Sequence, residues 1–267
     1  MDTGTFVHDG IVFHYDLVGE GEKFVVLQHG FSDTASCWGD MPHDLAKASY
    51  HVAMMDARGH GRSGKPDSGY TLDKMTTDLA AFIHHVGFDR PVIIGHSMGG
   101  SMGARAASAH PESLSAAVLI DPAFRDAVPE MKLLTITQRT QDILNLKKMS
   151  HWEIREETRR KHPDWKENNI ETGAWGKILM SMQIMEIFQT IDKGWREDLD
   201  KSTCPILLVT SDEKLGAIVS RETAKLILEK HKSVEELHIT GVGHSIHREK
   251  YDETMAGIKD FLGRVFK

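Results

Sequence analysis

The chain has 267 residues, 40% of them hydrophobic, and its 32 Lys and Arg against 39 Asp and Glu give a formal net charge of −7 at pH 7. This length is enough to bury a substantial core, which argues against a disulfide mini-protein, a fibre or a disordered tail. The negative balance argues against a nucleic-acid partner and an anionic membrane surface, because both require clustered Lys and Arg.

The cysteine usage and the apolar runs indicate the compartment. Only Cys37 and Cys204 are present, so no disulfide framework is predicted and a reducing environment is expected. No apolar run approaches the ~20 residues of a membrane span, and the first residues lack the basic and apolar regions of a signal peptide. We therefore expect a cytoplasmic protein without a membrane partner.

The strand pattern starts with two β-prone runs that meet at Asp9 and Gly10. This pair favours positive φ and predicts an antiparallel hairpin. Later, short continuous apolar runs are typical of parallel strands that are covered on both faces. They occupy residues 24–27, 52–55, 92–94, 116–120 and 206–209, with a weaker alternating run at 234–239.

Helical patterns separate these runs. In residues 71–86, apolar positions recur at steps of three and four, with Thr71 as a candidate N-cap and Gly87 as a stop. Further helices are predicted after Ser97, after Ser220 and at the end of the sequence. The alternation predicts an α/β fold with a mostly parallel central sheet flanked by helices.

One stretch, residues 122–203, interrupts the alternation. It shows no convincing strand but contains four of the five Trp and five of the thirteen Met. A strandless stretch of this length predicts a helical insertion rather than a loop. We therefore divide the chain into a core, residues 1–121 and 204–267, and an inserted cap, residues 122–203. The aromatic and Met side chains of the cap either pack it onto the core or line a pocket for an apolar ligand.

The strongest chemical motif follows the strand at 92–94, where residues 95–99 read GHSMG. A strand that turns abruptly into a helix leaves the intervening Ser97 in a strained conformation above the sheet. Glycines on both sides allow the strand and the helix to approach closely. The start of the following helix also offers free backbone N–H groups to a developing oxyanion.

Three further motifs accompany this one in order: HGF at 29–31, DARGHGRS at 56–63 and GVGH at 241–244. Together they make the chain resemble the α/β-hydrolase family over essentially its whole length. The resemblance implies that Ser97 is the nucleophile and that the backbone N–H groups of Phe31 and Met98 form the oxyanion hole. It also implies that His244 is the general base, and a His after a strand on the edge that carries Ser97 fits this role.

The acid that orients His244 has two main candidates. The family order places it between the nucleophile and the base. Asp212, after the strand at 206–209, is the favoured candidate, although the commonest pattern would place the acid where Lys214 stands. Asp121, at the end of the strand at 116–120, matches a site that some members use instead, and Glu213 is a minor third alternative.

We expect a cofactor-free serine hydrolase that cleaves a small or medium, mostly apolar carboxylic ester or lactone through an acyl-serine intermediate. No metal site or cofactor motif is found, and the Asp nucleophile of dehalogenases and epoxide hydrolases is replaced by Ser97. The alternatives are a carbon–carbon bond hydrolase, a perhydrolase and a ligand-binding signalling receptor. Gly30 and Trp38 are the predicted pocket residues, and the protein is expected to be a monomer or homodimer.

Overall fold

A mostly parallel sheet forms the centre of the computed structural model, which describes residues 1–124 and 129–267. Its strands are β1 (Asp2–His8), β2 (Ile11–Val18), β3 (Lys23–Gln28), β4 (Tyr50–Met55), β5 (Val92–His96), β6 (Ala116–Ile120), β7 (Ile206–Ser211) and β8 (Val234–Ile239). The strand order is β1-β2-β4-β3-β5-β6-β7-β8. The strands from β4 to β8 in this order pair in parallel, whereas β2 pairs antiparallel with both β1 and β4.

The predicted hairpin is confirmed at the edge of the sheet. Asp9 and Gly10 form its two-residue turn with φ values of 50° and 72°, and His8 lies opposite Ile11 in the antiparallel register. Positive φ at both central residues matches the right-handed twist of the flanking strands. All the predicted strands are present in the structure, most of them extended by one or two residues.

Helices connect the strands from β3 to β8 along the chain, and others follow β8. Among the described residues they are α1 (Met41–Lys47), α2 (Leu72–His85), α3 (Met98–Ala109), α4 (Pro129–Leu146), α5 (His151–Lys161), α6 (Glu167–Leu179), α7 (Trp195–Lys201), α8 (Arg221–Lys230), α9 (Ile246–Glu249) and α10 (Tyr251–Val265). Helices α1, α2, α3, α8 and α10 pack on the two faces of the sheet, and α4, α5 and α6 lie in the segment between β6 and β7. Short 3₁₀ helices lie at Ala35–Trp38, Pro111–Ser113, Met182–Gln189 and Glu213–Leu215. The predicted N-cap residue of α2 is confirmed, because the Thr71 side chain accepts a hydrogen bond from the N–H of Lys74.

The side chains of each central strand alternate between two cores. In β3, Val25 and Leu27 face the core that α1 and α10 cover, whereas Val26 faces the core beneath α2 and α3. All three are fully buried, and burying one such aliphatic side chain is worth roughly 1.5–3 kcal/mol. Burial on both faces explains why these strands are continuous apolar runs in the sequence.

The segment between β6 and β7 is helical wherever the structure describes it. It contains α4, α5, α6, the 3₁₀ helix Met182–Gln189 and α7, and no strand lies among its described residues. The predicted cap also includes residues 125–128, which lie outside the described residues. The division of the chain into a core and a cap stays a prediction.

Side chains from this segment bind backbone N–H groups at the start of α2 and just before it. The Glu186 carboxylate accepts hydrogen bonds from the N–H groups of Gly69 and Tyr70, at 2.9 and 3.1 Å. The Thr190 hydroxyl accepts from the N–H of Leu72 at 3.0 Å. Amide groups at a helix start have no partner within the helix, so these contacts fix the segment to the core.

Four histidines lie deep beneath the carboxyl edge of the sheet. His29, His60, His96 and His247 are each at most 3% exposed. Burial penalises the charged imidazolium and lowers the pKa of all four rings, to about 4 for His60 and about 3 for His96. The folded protein therefore keeps these rings neutral at pH values where an exposed histidine is charged.

Lowering the pH should destabilise the fold already at pH values well above those at which carboxylates titrate. Below pH ~6.5 the unfolded chain protonates these four histidines and the folded chain does not, so the free energy of unfolding should fall as the pH drops. Each ring contributes up to about 1.4 kcal/mol per pH unit until its folded pKa is reached. Urea unfolding between pH 7.5 and 5 measures this slope.

The substitution His60→Gln should make this slope shallower by about one proton, whereas His110→Gln, at an exposed position, should leave it unchanged. A free energy of unfolding that stays constant from pH 7.5 to 5 would contradict the assignment of neutral buried rings.

Candidate active site

A strained turn connects β5 to α3 and presents Ser97. This residue has φ 54° and ψ −113°, a backbone conformation that residues other than glycine rarely adopt. A Cβ at Gly95 would collide with the backbone of Gly99, and one at Gly99 would collide with the backbone of Gln28 and His29. The two glycines therefore allow α3 to start directly against the sheet, with Met98 as its first residue.

The loop after β3 is fixed next to this turn. The Nδ1 atom of His29 donates to the Gly30 carbonyl at 2.8 Å, while Nε2 accepts from the N–H of Ala57 at 3.0 Å. The Nε2 atom of His60 lies 2.7 Å from the carbonyl oxygen of Phe31. Two buried imidazoles thus hold the backbone that carries the N–H group of Phe31.

The partner of His244 is the carboxylate of Asp121. His244 Nδ1 and Asp121 Oδ2 are 2.6 Å apart, and Asp121 is fully buried at the end of β6. The same carboxylate accepts hydrogen bonds from the N–H groups of Ile218 and Val219, at 2.8 to 3.0 Å. These contacts provide a buried negative charge beside the imidazole with most of its acceptor positions occupied.

The favoured candidate, Asp212, is not the partner of His244. Its Oδ2 atom accepts from the N–H of Gly241 at 2.6 Å, and its Oδ1 atom lies 3.7 Å from the ring of His238. The reason is geometric: Asp212 comes after β7, where its carboxylate meets the start of the turn that carries His244 rather than the imidazole itself. Glu213 begins the 3₁₀ helix after Asp212 and is exposed.

Ser97 and Asp121 end neighbouring strands. The N–H of Ser97 donates to the carbonyl of Ile120 at 2.9 Å, which places the two residues side by side in the parallel register. Asp121 also has positive φ, at 40°. Ser97 is 8% exposed, whereas the His244 side chain is 33% exposed. The structure therefore brings Ser97, Asp121 and His244 to one edge of the sheet.

Behind this edge, four rings contact one another in sequence. The ring centroids of His244 and His96 are 4.6 Å apart, those of His96 and His247 are 4.6 Å apart, and those of His247 and Trp38 are 5.1 Å apart. The predicted pocket residue Trp38 is 2% exposed and lies at the far end of this series. Its ring contacts that of His247, and its role in the substrate pocket stays a prediction.

Gly30, the other predicted pocket residue, lies against His96 and Asp33, and its role in the pocket stays a prediction. A Cβ at this position would lie 3.0 Å from His96 Nδ1 and 3.3 Å from Asp33 Oδ2. Asp33 forms a buried ion pair with Arg248 at 2.7 Å. Burial alone would raise the pKa of Asp33, but Arg248 and nearby histidines outweigh it and hold the value at about 2. No motif in the sequence signals this ion pair.

The glycine-rich loop at residues 56–63 is structural. Arg58 is 2% exposed and its Nη2 atom donates to Asp78 at 2.7 Å. The Asp56 carboxylate accepts from the N–H groups of Ala35 and Arg62, at 2.8 and 3.0 Å. The charged groups of this loop are therefore occupied by partners within the fold.

The described residues, 1–124 and 129–267, contain no group of three or more His, Cys, Asp or Glu side chains that could hold a metal ion. None of their helices combines the length and the apolar composition needed to cross a bilayer.

Comparison with curated proteins gives relatives that match this chain in part. It is 37% identical over 115 residues to a putative non-heme haloperoxidase of Mycobacterium phage D29. This match covers 43% of the chain and 41% of that protein. It is 36% identical over 113 residues to epoxide hydrolase A of Mycobacterium tuberculosis. This match covers 41% of the chain and 35% of that protein. The chain spans less than half the length of these curated relatives.

Similarity over nearly the full length is found at the level of structure and of family. A bromoperoxidase from Bacillus anthracis superimposes with a TM-score of 0.80 at 24% identity, over 95% of this chain and 96% of that one. Residues 19–251 match the family described as serine aminopeptidase, S33. Since this match covers most of the sequence, the chain belongs to this family of α/β-hydrolases.

Proposed function

We propose that the protein is a cofactor-free serine hydrolase of small or medium carboxylic esters or lactones. In this proposal Ser97 is the nucleophile, His244 the general base and Asp121 the acid that orients it. The observation that carries the proposal is the 2.6 Å contact between His244 and the fully buried Asp121 beside the strained Ser97 turn. A nucleophile, a base and an orienting acid on one sheet edge are the requirements of acyl transfer.

The proposed reaction starts when Ser97 Oγ attacks the ester carbonyl and His244 Nε2 takes its proton. The carbonyl oxygen becomes an oxyanion, which accepts hydrogen bonds from the N–H groups of Phe31 and Met98. The carbon–oxygen bond to the alkoxide breaks, His244 donates the proton so that it leaves as an alcohol, and the acyl group stays on Ser97 Oγ as an ester. A water molecule, deprotonated by His244, attacks that ester; the acyl–Oγ bond breaks, His244 returns the proton to Ser97 Oγ, and the carboxylic acid is released.

The neighbourhood of Asp121 supports its role. Nδ1–H of His244 donates to this carboxylate, so Nε2 is left as the basic nitrogen. The N–H groups of Ile218 and Val219 fix the carboxylate from the other side. A fixed negative charge next to the ring stabilises the imidazolium that forms in each half of the reaction.

The surroundings of Ser97 support an apolar substrate. Met98, the next residue, belongs to a hydrophobic cluster that continues into the segment between β6 and β7. From that segment the cluster takes Ile143, Met180, Met182, Ile184, Met185, Ile187, Phe188 and Ile191. The rings of Phe188 and Phe31 lie 4.9 Å apart, which places an aromatic pair beside the proposed oxyanion donor.

The relative named as a haloperoxidase supports a second candidate reaction. In a perhydrolase, hydrogen peroxide replaces water as the group that attacks the acyl-Ser97 ester, and a peracid leaves. Adding hydrogen peroxide and a carboxylic acid to the purified protein and measuring peracid, with and without Ser97→Ala, tests this candidate.

Ser97→Ala should lower the hydrolysis of p-nitrophenyl butyrate by several orders of magnitude, because no acyl-enzyme can form. Its melting temperature should stay close to that of the wild type. A serine-directed fluorophosphonate should label the wild type at Ser97 and leave the variant unlabelled. Wild-type turnover by the variant would contradict the proposal, and a wild type without turnover or label would favour a binding protein.

Asp121→Asn and Asp212→Asn form a matched pair that identifies the acid. Asp121→Asn should lower kcat by about 10³-fold or more, because an amide neither selects the His244 tautomer nor stabilises the imidazolium. Asp212→Asn should stay within about threefold of the wild type, since its amide oxygen still accepts from Gly241. The reverse ranking, with both melting temperatures unchanged, would assign the acid to Asp212.

Phe188→Ala should weaken the binding of long apolar acyl chains. We expect KM for p-nitrophenyl octanoate to rise roughly tenfold, with a smaller change for the acetate and little change in kcat, because apolar contact area is lost. Trp152→Ala, which removes an aromatic side chain that is 65% exposed on α5, is the control. Equal KM changes for both esters would contradict a role for Phe188 in acyl binding.

A further inference from the structure

Ser211 and Asp212, at the end of β7, bind the backbone of the turn that carries His244. The N–H of Gly241 donates to Asp212 Oδ2 at 2.6 Å. The Val242 carbonyl accepts from the N–H of Asp212 at 3.1 Å. The Gly243 carbonyl accepts from the buried Ser211 hydroxyl at 2.7 Å. Three successive residues before His244 therefore each have a backbone group fixed by Ser211 or Asp212.

The backbone of His244 itself is held from β5. His96 Nε2 lies 3.0 Å from the His244 carbonyl oxygen. A carbonyl oxygen only accepts, so His96 carries its proton on Nε2 and donates it. His96 also immediately precedes Ser97 in the chain. One side chain thus connects the strand end that presents the nucleophile to the residue that supplies the base.

We propose that His96 is a positioning residue that sets the distance between Ser97 Oγ and His244 Nε2. This inference rests on the proposed function of the site. Proton transfer requires the two atoms to come within about 2.6–3.2 Å, and a displacement of about 1 Å is enough to cost on the order of 10²-fold in rate. The contacts with Ser211 and Asp212 hold the three residues before the base to the end of β7, whereas the His96 hydrogen bond connects the main chain of His244 to the strand that carries Ser97.

The surroundings of His96 suit a fixed anchor. The ring is packed between the rings of His244 and His247, 4.6 Å from each, and Gly30 leaves space for it on a third side. Burial foremost, with the neighbouring His244 and Arg248, lowers the pKa of His96 to about 3 despite the nearby Asp33. The ring therefore stays neutral, and its donated hydrogen bond does not change over the working pH range.

Three variants at position 96 separate the hydrogen bond from the ring. His96→Leu fills a similar space and cannot donate, and His96→Asn ends its amide short of the Nε2 position. Both should lower kcat for p-nitrophenyl butyrate by about 10- to 100-fold, with KM within about twofold. His96→Gln extends an amide N–H to that position and should keep kcat within about fivefold of the wild type.

His247→Leu is the matched control. His247 is equally buried, and its ring nitrogens have no hydrogen bond partner among the described residues, so its loss should leave kcat within about threefold. Melting temperatures identify the folded variants, and having two variants without the donor keeps the test valid where one fails to fold. A folded His96→Leu or His96→Asn with wild-type kcat would overturn the proposal.

A proton signal provides a readout that does not depend on activity. The Nδ1 proton between His244 and Asp121 should give a far-downfield resonance, identified by its absence in His244→Asn and Asp121→Asn. We expect this resonance to be kept in His96→Gln and lost or broadened in His96→Leu. A wild type that fails to hydrolyse esters but shows this pattern would refute the proposed function alone. An unchanged resonance in His96→Leu would refute the positioning role.

Discussion

The site depends on left-handed backbone at the ends of two adjacent strands. Ser97 after β5 and Asp121 after β6 both have positive φ, a conformation that costs on the order of 1–3 kcal/mol for residues with side chains. The surrounding fold maintains it: the N–H of Ser97 is bound to the Ile120 carbonyl, and the N–H of Asp121 to the Val209 carbonyl. The rigid parallel sheet thus provides the free energy that keeps both side chains directed at the site.

Strain of this kind also separates the two candidate acids. Asp212 has an unstrained backbone, with φ −76°, and its carboxylate accepts a hydrogen bond from the N–H of Gly241, 29 positions away. Asp121 has a strained backbone and a carboxylate that meets a residue 123 positions away. Strained residues tend to cluster where function requires them, so the backbone and the hydrogen bonds favour the same carboxylate.

Much of the fold could be predicted from the sequence, because the strands of the core are apolar runs of the expected length and Asp9-Gly10 specifies a tight turn. The Ser97 turn was recognisable because its glycines are needed locally. The choice between Asp212 and Asp121 as the carboxylate that contacts His244 could not be made from the sequence, since counting along the chain cannot show which strand end faces an imidazole that comes from residue 244. Likewise, the contacts of Trp38 with His247 and of Gly30 with His96 depend on three-dimensional packing that the sequence does not show.

The chain that leads into α2 has a consequence for attempts to change specificity. The N–H groups of Gly69, Tyr70 and Leu72 donate to Glu186 and Thr190, more than a hundred residues further along the chain, so the segment between β6 and β7 is also part of the stability of the core. Exchanging that segment for one from a relative would remove these acceptors, at a cost on the order of 0.5–1.5 kcal/mol for each lost hydrogen bond. A chimera that retains an acceptor at both positions should tolerate the exchange better than one chosen for its pocket alone.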